Sequence, residues 1–394
     1  MAMRILLLAP HPFYQERGTP IAVDLLLRVL SERGVIVDVL TYAEGIDRAY
    51  PGVTIHRIEP SPLTRGMRPG FSLKKIIADA QMLPQALAMA RRTRYDVVHA
   101  VEEAVFIAML IQWRHKVPYV FDVDSCMPRQ VANKKPRLRF LLPLMLRIER
   151  AAFRHALAIA PMCEEFAQAA RAAGAKEIHV LRDPSLLPDK QAEPITAINN
   201  VLGFQGLRFL YIGNLESYQG IDLLLSAFSE FKPEMHNAHM IIVGGAPDDI
   251  QRHSQFADRL GIATRTHFIG PRPVIEMSAF FSAADILTSP RTQGTNTPMK
   301  IYSYMDSGKP ILATRLPTHT QVLDDTVALL VEPTPAAYAD GMRQLAGKPE
   351  LRLQLARHAK DVCREKYGFT TFSRAVNTLY AAIEKIIVSR KDRM

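Results

Sequence analysis

Residues Thr288 to Thr314, TSPRTQGTNTPMKIYSYMDSGKPILAT, hold a strand end, a loop, a helix and the next strand. The apolar run Ile286–Thr288 stops at Ser289, and a polar loop with Gly294 and three threonines follows. A helix begins near Pro298, a residue favoured in a first turn because its missing N–H would be unpaired there anyway. It is expected over Lys300–Asp306, with Asn296 or Thr297 as its cap, and the turn at Gly308-Lys309-Pro310 leads into strand Ile311–Ala313. Strand, helix and strand in this order make a parallel crossover unit. Arg291 and Lys300 flank the loop, so backbone donors, a helix dipole and two cations converge where a diphosphate could sit. Gly294, Thr295, Asn296 and Thr297 complete that candidate site.

The same alternation extends outward in both directions. Strands are expected at Ile5–Leu8, Val35–Leu40, Val53–Ile58, Val97–Ala100, Tyr119–Asp122 and Leu157–Ala160, with helices near Ile21–Arg33, Lys74–Arg92, Phe106–His115 and Leu138–Arg154. Periodicity lapses after Asp183 among Pro184, Pro188, Pro194 and Asn199-Asn200. A second series then runs through Arg208–Ile212, Met240–Val243, His267–Ile269, Ile286–Thr288, Ile311–Ala313 and Ala328–Val331. Its helices are read at Gly220–Phe231, Ile250–Leu260, Met277–Ala284, Lys300–Asp306, Pro335–Gly341, Leu351–Cys363 and Thr371–Ile387. Continuous apolar strands separated by helices indicate parallel sheets covered on both faces. The fold class is α/β, two Rossmann-like doubly wound domains. The expected boundaries are 1–190, a linker over 191–206, 207–368, and a last helix in 369–394.

Ligands of such sheets bind at the carboxyl ends of the strands, which singles out three more loops. Gly18-Thr19 opens the helix after the first strand, where free N–H groups can meet an anion. Gly213-Asn214 ends the first strand of the second series, and Gln219-Gly220 opens its helix. Gly244-Gly245 follows the next strand, where a structural turn and a place beside a base or ribose are equally open readings.

The 394 residues exceed the size of one ordinary core, and a composition of 48% hydrophobic and 22% charged residues is globular. Cys126, Cys163 and Cys363 lie far apart without a Cys-x-x-Cys pair, which argues against zinc and disulfides and favours a reducing cytoplasm. The apolar start is too short for a signal core or a membrane span. Of the net charge of +10, most lies early: 27 basic against 19 acidic side chains over residues 1–190, and 22 against 20 afterwards. No nucleic-acid motif accompanies this excess, which leaves an anionic membrane face or an anionic substrate. Lys134, Lys135, Arg137 and Arg139, followed by the apolar Phe140–Leu146, suit peripheral attachment to the inner membrane face, or else a solvated loop before a core helix.

The order of segments resembles family 4 glycosyltransferases over nearly the whole chain. Asp96-Val97-Val98-His99-Ala100 and Val117-Pro118-Tyr119-Val120-Phe121 look like first-lobe strands of that family, and so does Ile159-Ala160 with Leu181-Arg182-Asp183-Pro184. Tyr367-Gly368-Phe369 looks like the start of its C-terminal helix, which crosses back to the first lobe. Gly213-Asn214-Leu215 through Gln219-Gly220-Ile221-Asp222 resembles the G-R-L…K-G motif. Pro298-Met299-Lys300-Ile301-Tyr302-Ser303-Tyr304-Met305 with Gly308-Lys309-Pro310 resembles P-L-K-[LI]-[FY]-E-Y-M…G-K-P.

The resemblance implies a GT-B fold, with an acceptor-binding first domain and a nucleotide-sugar-binding second domain facing across a cleft. It implies sugar transfer, with retention at the anomeric carbon, from a nucleotide-diphosphate sugar to a glycan or lipid-linked acceptor. The departures fall on functional positions. Asn214 and Gln219 replace the arginine and lysine on the pyrophosphate, Thr295 and Ser303 the two glutamates of E-x7-E, and Asp124 the first-lobe histidine. The chain is therefore read as a divergent subgroup in which Lys300 and Arg291 carry the charge, Ser303 can donate to a ribose oxygen, and Asp124 holds hydroxyls or acts as base. The family pattern also implies no cofactor and no metal, although Asp122-Val123-Asp124 has Asp-x-Asp spacing. Two rivals are a GT-B-shaped nucleotide-sugar epimerase using His11, His99, His319 and Asp124, and a non-catalytic partner subunit.

Overall fold

A computed structural model describes residues 2–66, 72–126, 128, 140–187, 205–232, 234, 237–294 and 296–391. The chain divides into two compact units, Met1–Arg182 with Phe372–Met394, and Asp183–Thr371. In the first, strands β1 (Arg4–Ala9), β2 (Ile36–Thr41), β3 (Val53–Arg57), β4 (Val97–Val101), β5 (Tyr119–Val123) and β6 (Ala158–Pro161) form a sheet of order β3-β2-β1-β4-β5-β6. In the second, β7 (Leu207–Ile212), β8 (Ala238–Val243), β9 (Thr266–Gly270), β10 (Ile286–Ser289), β11 (Ile311–Thr314) and β12 (Leu329–Val331) give the order β12-β11-β10-β7-β8-β9. Every pairing in both sheets is parallel. Two doubly wound parallel sheets are thus present, and all twelve expected strands are found at or within a few residues of their places.

Period-two packing explains why these strands read as unbroken apolar runs. Leu210 and Ile212 of β7 join Ile241, Val243 and Leu287 in the core on one face, while Phe209 and Tyr211 join Met240, Ile242 and Leu312 on the other. Successive side chains of a strand point to opposite faces, so a sheet covered twice needs apolar residues at every position. The strand order reverses between β1 and β4 in the first unit and between β7 and β10 in the second. At such switch points the loops leaving adjacent strands diverge and open a crevice.

The structure departs from the sequence reading in several places. The first unit ends at Arg182 rather than 190, because the chain after it packs onto the second unit: Ser185 N–H donates to the Tyr367 carbonyl, Leu186 N–H to Ser303 Oγ, and Leu187 joins that unit's core. Residues 191–204 of the expected linker lie outside the described residues. The expected helix from Leu138 is described over Leu142–His155, and a helix at Glu164–Ala172, absent from the sequence reading, precedes the end of the unit. The last helix, Phe369–Lys391, is anchored in the first unit. Arg33 binds Asn377 at 3.1 Å and Glu384 at 2.6 Å, and the Tyr380 hydroxyl donates to His99 Nδ1 at 2.8 Å.

Candidate functional site

Lys300 Nζ, Arg291 Nε, Thr297 Oγ1 and Gln219 Oε1, four buried polar atoms without a hydrogen-bond partner, lie in the segments that follow β7 and β10. Gly213 leaves β7 with φ of +149°, and a Cβ built there would stand 3.0 Å from Tyr211 Oη and 3.5 Å from Lys300 Nζ. The positive φ and the close approach to the Tyr211 hydroxyl favour glycine here. Gly220, φ +76°, is fixed by the facing loop instead, since a Cβ there would come within 1.9 Å of the Pro290 carbonyl oxygen. The β7 and β10 loops are thereby held against each other.

Lys300 begins the helix Lys300–Asp306 and turns inward. The residue is partly buried but its ammonium nitrogen is closed off from water, 3.8 Å from the centroid of the Tyr211 ring, with no hydrogen-bond partner. Burial first, and then the neighbouring Arg291 guanidinium, pushes its pKa well below the usual lysine range. Arg291 is 5% exposed. Its Nη1 donates to the Asn296 carbonyl at 2.9 Å and to Thr318 Oγ1 at 2.7 Å, the guanidinium lies 5.2 Å from the Tyr218 ring, and Nε has no partner. Among the described residues neither cation meets a carboxylate. Two buried positive groups side by side without counter-charge are costly, and an anionic ligand removes that cost.

Further orphaned groups surround the pair. Thr297 Oγ1 and Gln219 Oε1 are buried without partners, on residues 1% and 5% exposed. The Asn296 carbonyl is committed to Arg291 and to the Thr318 hydroxyl. The expected cap is corrected here: Met299 occupies the cap position and no side chain, neither Asn296 nor Thr297, bonds the helix start. Asn296 is drawn to Arg291, and the first-turn N–H groups are left without a side-chain cap. Thr295 lies outside the described residues.

The remaining second-unit candidates are placed as follows. Asn214 is exposed, and its Oδ1 accepts from Glu216 N–H at 3.3 Å. An added Cβ on Gly245 would stand 2.5 Å from Leu215 Cδ1, so packing inside the unit accounts for this glycine. Gly294 borders Arg291, its Cβ position 3.2 Å from Nη1. Ser303 is 5% exposed, and its Oγ accepts from Leu186 N–H at 3.1 Å, which leaves its proton for another acceptor. His319, fully buried, donates from Nδ1 to the Thr314 carbonyl at 2.8 Å and accepts the Ser289 hydroxyl at Nε2, also 2.8 Å. Burial depresses its pKa to about 3, with Arg291 and Lys300 adding to the effect against the Thr314 hydrogen bond. It stays neutral and braces the β10–β11 loops.

Gly18, Thr19 and Asp124 belong to the first unit. Gly18 starts the helix Gly18–Glu32, whose cap residue Arg17 makes no side-chain cap bond, and a Cβ on Gly18 would meet open space. Asp124 follows β5, partly buried and engaged by a neighbour. Asp122 is taken by His99, whose Nε2 donates to Oδ2 at 3.1 Å while Nδ1 accepts from Tyr380. With both nitrogens of His99 and of His319 bonded, two of the four groups considered for epimerisation are structural.

A polar group that the sequence reading missed sits at the first unit's switch point. Glu102 and Glu103 directly follow β4. Lys75 Nζ lies 2.5 Å from Glu103 Oε1 and 3.7 Å from Glu102 Oε2, the Tyr42 hydroxyl donates to Asp79 at 2.5 Å, and Ser125 donates to Glu102 at 2.9 Å. Burial raises Asp79 to about 6 and Glu103 to about 8, against the pull of Lys75. Lys75 itself is held above its ordinary value because the carboxylates outweigh its own desolvation. The available signal was the pair of glutamates at a strand's carboxyl end. Among the described residues no cluster of His, Cys, Asp and Glu has a metal-holding arrangement.

Comparison with known proteins places both units. Residues 17–183 match the family described as glycosyl transferase 4-like domain, and residues 206–348 match glycosyl transferases group 1. A D-inositol 3-phosphate glycosyltransferase of Corynebacterium glutamicum is 28% identical over 181 residues, 43% of this chain and 42% of that protein. One of Kribbella flavida is 23% identical over 374 residues, 87% of this chain and 85% of that protein. The chain thus aligns with less than half the length of the Corynebacterium relatives. Among solved structures, sucrose-phosphate synthase from Thermosynechococcus elongatus superposes with a TM-score of 0.81 at 16% identity, covering 98% of this chain and all of that one. Anabaena HepE, in complex with UDP-glucose, gives 0.75 at 17% identity over 96% of this chain and all of that one. At these identities the structural likeness establishes the fold.

Proposed function

We propose that the chain transfers a sugar from a nucleoside-diphosphate sugar to a glycan or lipid-linked acceptor with retention, on the footing that residues 17–183 and 206–348 match two glycosyl transferase families in order. The observation that carries the reading is the buried, uncompensated pair Lys300 and Arg291 at the carboxyl ends of β7 and β10, with Gly213 giving access and Thr297 and Gln219 left unpaired. A diphosphate supplies the missing charge and acceptors. The UDP and UDP-glucose complexes of HepE, a protein of the same fold, support the class of donor.

In the proposed reaction the acceptor hydroxyl oxygen bonds to the anomeric carbon as the bond to the diphosphate breaks. The hydroxyl proton passes to the departing phosphate oxygen on the same face. The protein then needs no nucleophile. Its contribution is electrostatic, with Lys300 and Arg291 stabilising charge that grows on the leaving group. Ser303 donates its free proton toward the ribose, and Asn214 and Gly294 border the donor. Calorimetric titration with UDP-, GDP- and ADP-sugars tests this reading. One of them should bind and release its nucleoside diphosphate only when an acceptor is added. Binding by none would remove it, and sugar conversion without acceptor would favour an epimerase.

A further inference from the structure

The helix Leu142–His155 buries Ala152 and Phe153 yet leaves Leu144 57% and Ile148 42% exposed, with Phe140 ahead of it 75% exposed. Spacing of four places Leu144 and Ile148 on one face of the helix, and the exposed Phe140 precedes it. Arg147, Arg150 and Arg154 are exposed on the same helix. Its one acid, Glu149, is partly buried and accepts from the Cys126 thiol at 3.7 Å. At the far end Gln112 Nε2 donates to the His155 carbonyl at 3.3 Å, and the adjoining Trp113, the chain's single tryptophan, is 70% exposed beside exposed Arg114 and Lys116. Residues 134–155 hold seven lysines and arginines and one glutamate. Lys134, Lys135, Arg137 and Arg139 lie outside the described residues and enter only through this count.

We propose that this face, Phe140, Leu144 and Ile148 with Trp113 at its edge and arginines around it, docks reversibly on an anionic bilayer surface. Charge selects that occupant. A second copy of the same face would set arginines against arginines, whereas an anionic leaflet attracts them while its acyl boundary takes up the apolar stripe. Trp113 has the mixed apolar and polar character that favours the headgroup level. No helix among the described residues is long and apolar enough to cross a membrane, so the contact is with the surface. The inference is independent of the nucleotide site.

The test is flotation of the full chain with phosphatidylcholine vesicles, with and without phosphatidylglycerol, while following Trp113 emission. Binding should require phosphatidylglycerol, weaken with added salt and shift the emission to the blue. The double substitution Leu144→Ser with Ile148→Ser should lower partitioning about tenfold or more. Arg147→Gln with Arg150→Gln should lower it by about tenfold on anionic vesicles only. Circular dichroism and nucleotide titration should be unchanged in both, since all four side chains are exposed. Three results would overturn the inference: no flotation at low salt, flotation indifferent to the Leu144 and Ile148 pair, or flotation with unmoved Trp113 emission. A concentration-dependent dimer abolished by that same pair, without vesicle binding, would assign the face to self-association instead.

Discussion

The two units share one sheet topology and place polar residues at the same kind of switch point, but with opposite electrostatics. Beside β1 and β4 three carboxylates, Asp79, Glu102 and Glu103, gather around Lys75, which gives them a counter-charge. Beside β7 and β10 the two cations Lys300 and Arg291 find no carboxylate among the described residues, and several buried atoms have no partner. The topology sets where a ligand can approach, while the state of the charges sets whether the fold needs one. A self-neutralised group can stand alone, whereas an uncompensated one is a site awaiting its counter-ion.

The largest effect should come from unbalancing the first unit. Lys75→Met leaves buried carboxylates without their cation, and removing one partner of a buried pair costs about 3–5 kcal/mol. Amide exchange of the β1 and β4 strands should report the loss there and spare β7 and β10. The deficit should shrink from pH 8 toward pH 5. Glu103 and Asp79 are raised in the folded state, so the stability from their protonation is full below the unfolded carboxyl pKa and is lost as pH rises through about 6 and 8. A deficit that is the same at both pH values would mean the cluster is not titrating.

The second unit should respond in the opposite direction. Lys300→Met removes a buried amine nitrogen that has no hydrogen-bond partner, so the empty protein should melt higher, while nucleoside-diphosphate affinity falls by about 1.5–3 kcal/mol. Calorimetry and thermal melting on the same samples separate the two effects. A lower melting temperature would show that the lysine's contact with the Tyr211 ring matters more to the fold than its desolvation.

A smaller effect follows from the same lysine's depressed pKa. Bringing a diphosphate against Lys300 restores the preference for the charged form, so binding should take up as much as one proton, and affinity should weaken as pH rises. Titrations in buffers of different ionisation enthalpy read that uptake directly. Lys300→Met should abolish it, and persistence in the mutant would move the proton to another group.

What the sequence revealed divides along the same lines. The strands were legible because a sheet buried on both faces demands unbroken apolar runs, such as Leu207–Ile212 and Ala238–Val243. Lys300 and Arg291 were legible because a loop, a helix start and two cations lie within ten residues. The helix Glu164–Ala172 was not, since it is nine residues long with Phe166 as its one large apolar side chain. The first-unit cluster was not either: Lys75 meets Glu102 and Glu103 only after a helix has been laid across the sheet, and no local pattern carries that pairing. The cap failed for a related reason, because Asn296 bonds Arg291 in preference to the helix beside it.

Ser303 gives the finest test of how the second unit treats its ligand. Its Oγ already accepts from Leu186 N–H, so as it stands it can offer a ribose only a proton. Ser303→Glu keeps an acceptor for Leu186 and adds a charged oxygen, which can turn toward the ribose hydroxyls or toward Lys300 one helical turn earlier. Arg291 keeps the site positive in either case, and we expect the ribose side to prevail. The gain should be about 1 kcal/mol, the difference between a charged and a neutral hydrogen bond. It should appear for a ribonucleoside diphosphate and vanish for its 2′,3′-dideoxy analogue, measured by calorimetric titration of both. Equal weakening of the two ligands would mean that the new carboxylate has paired with Lys300, giving the second unit the self-neutralised character of the first.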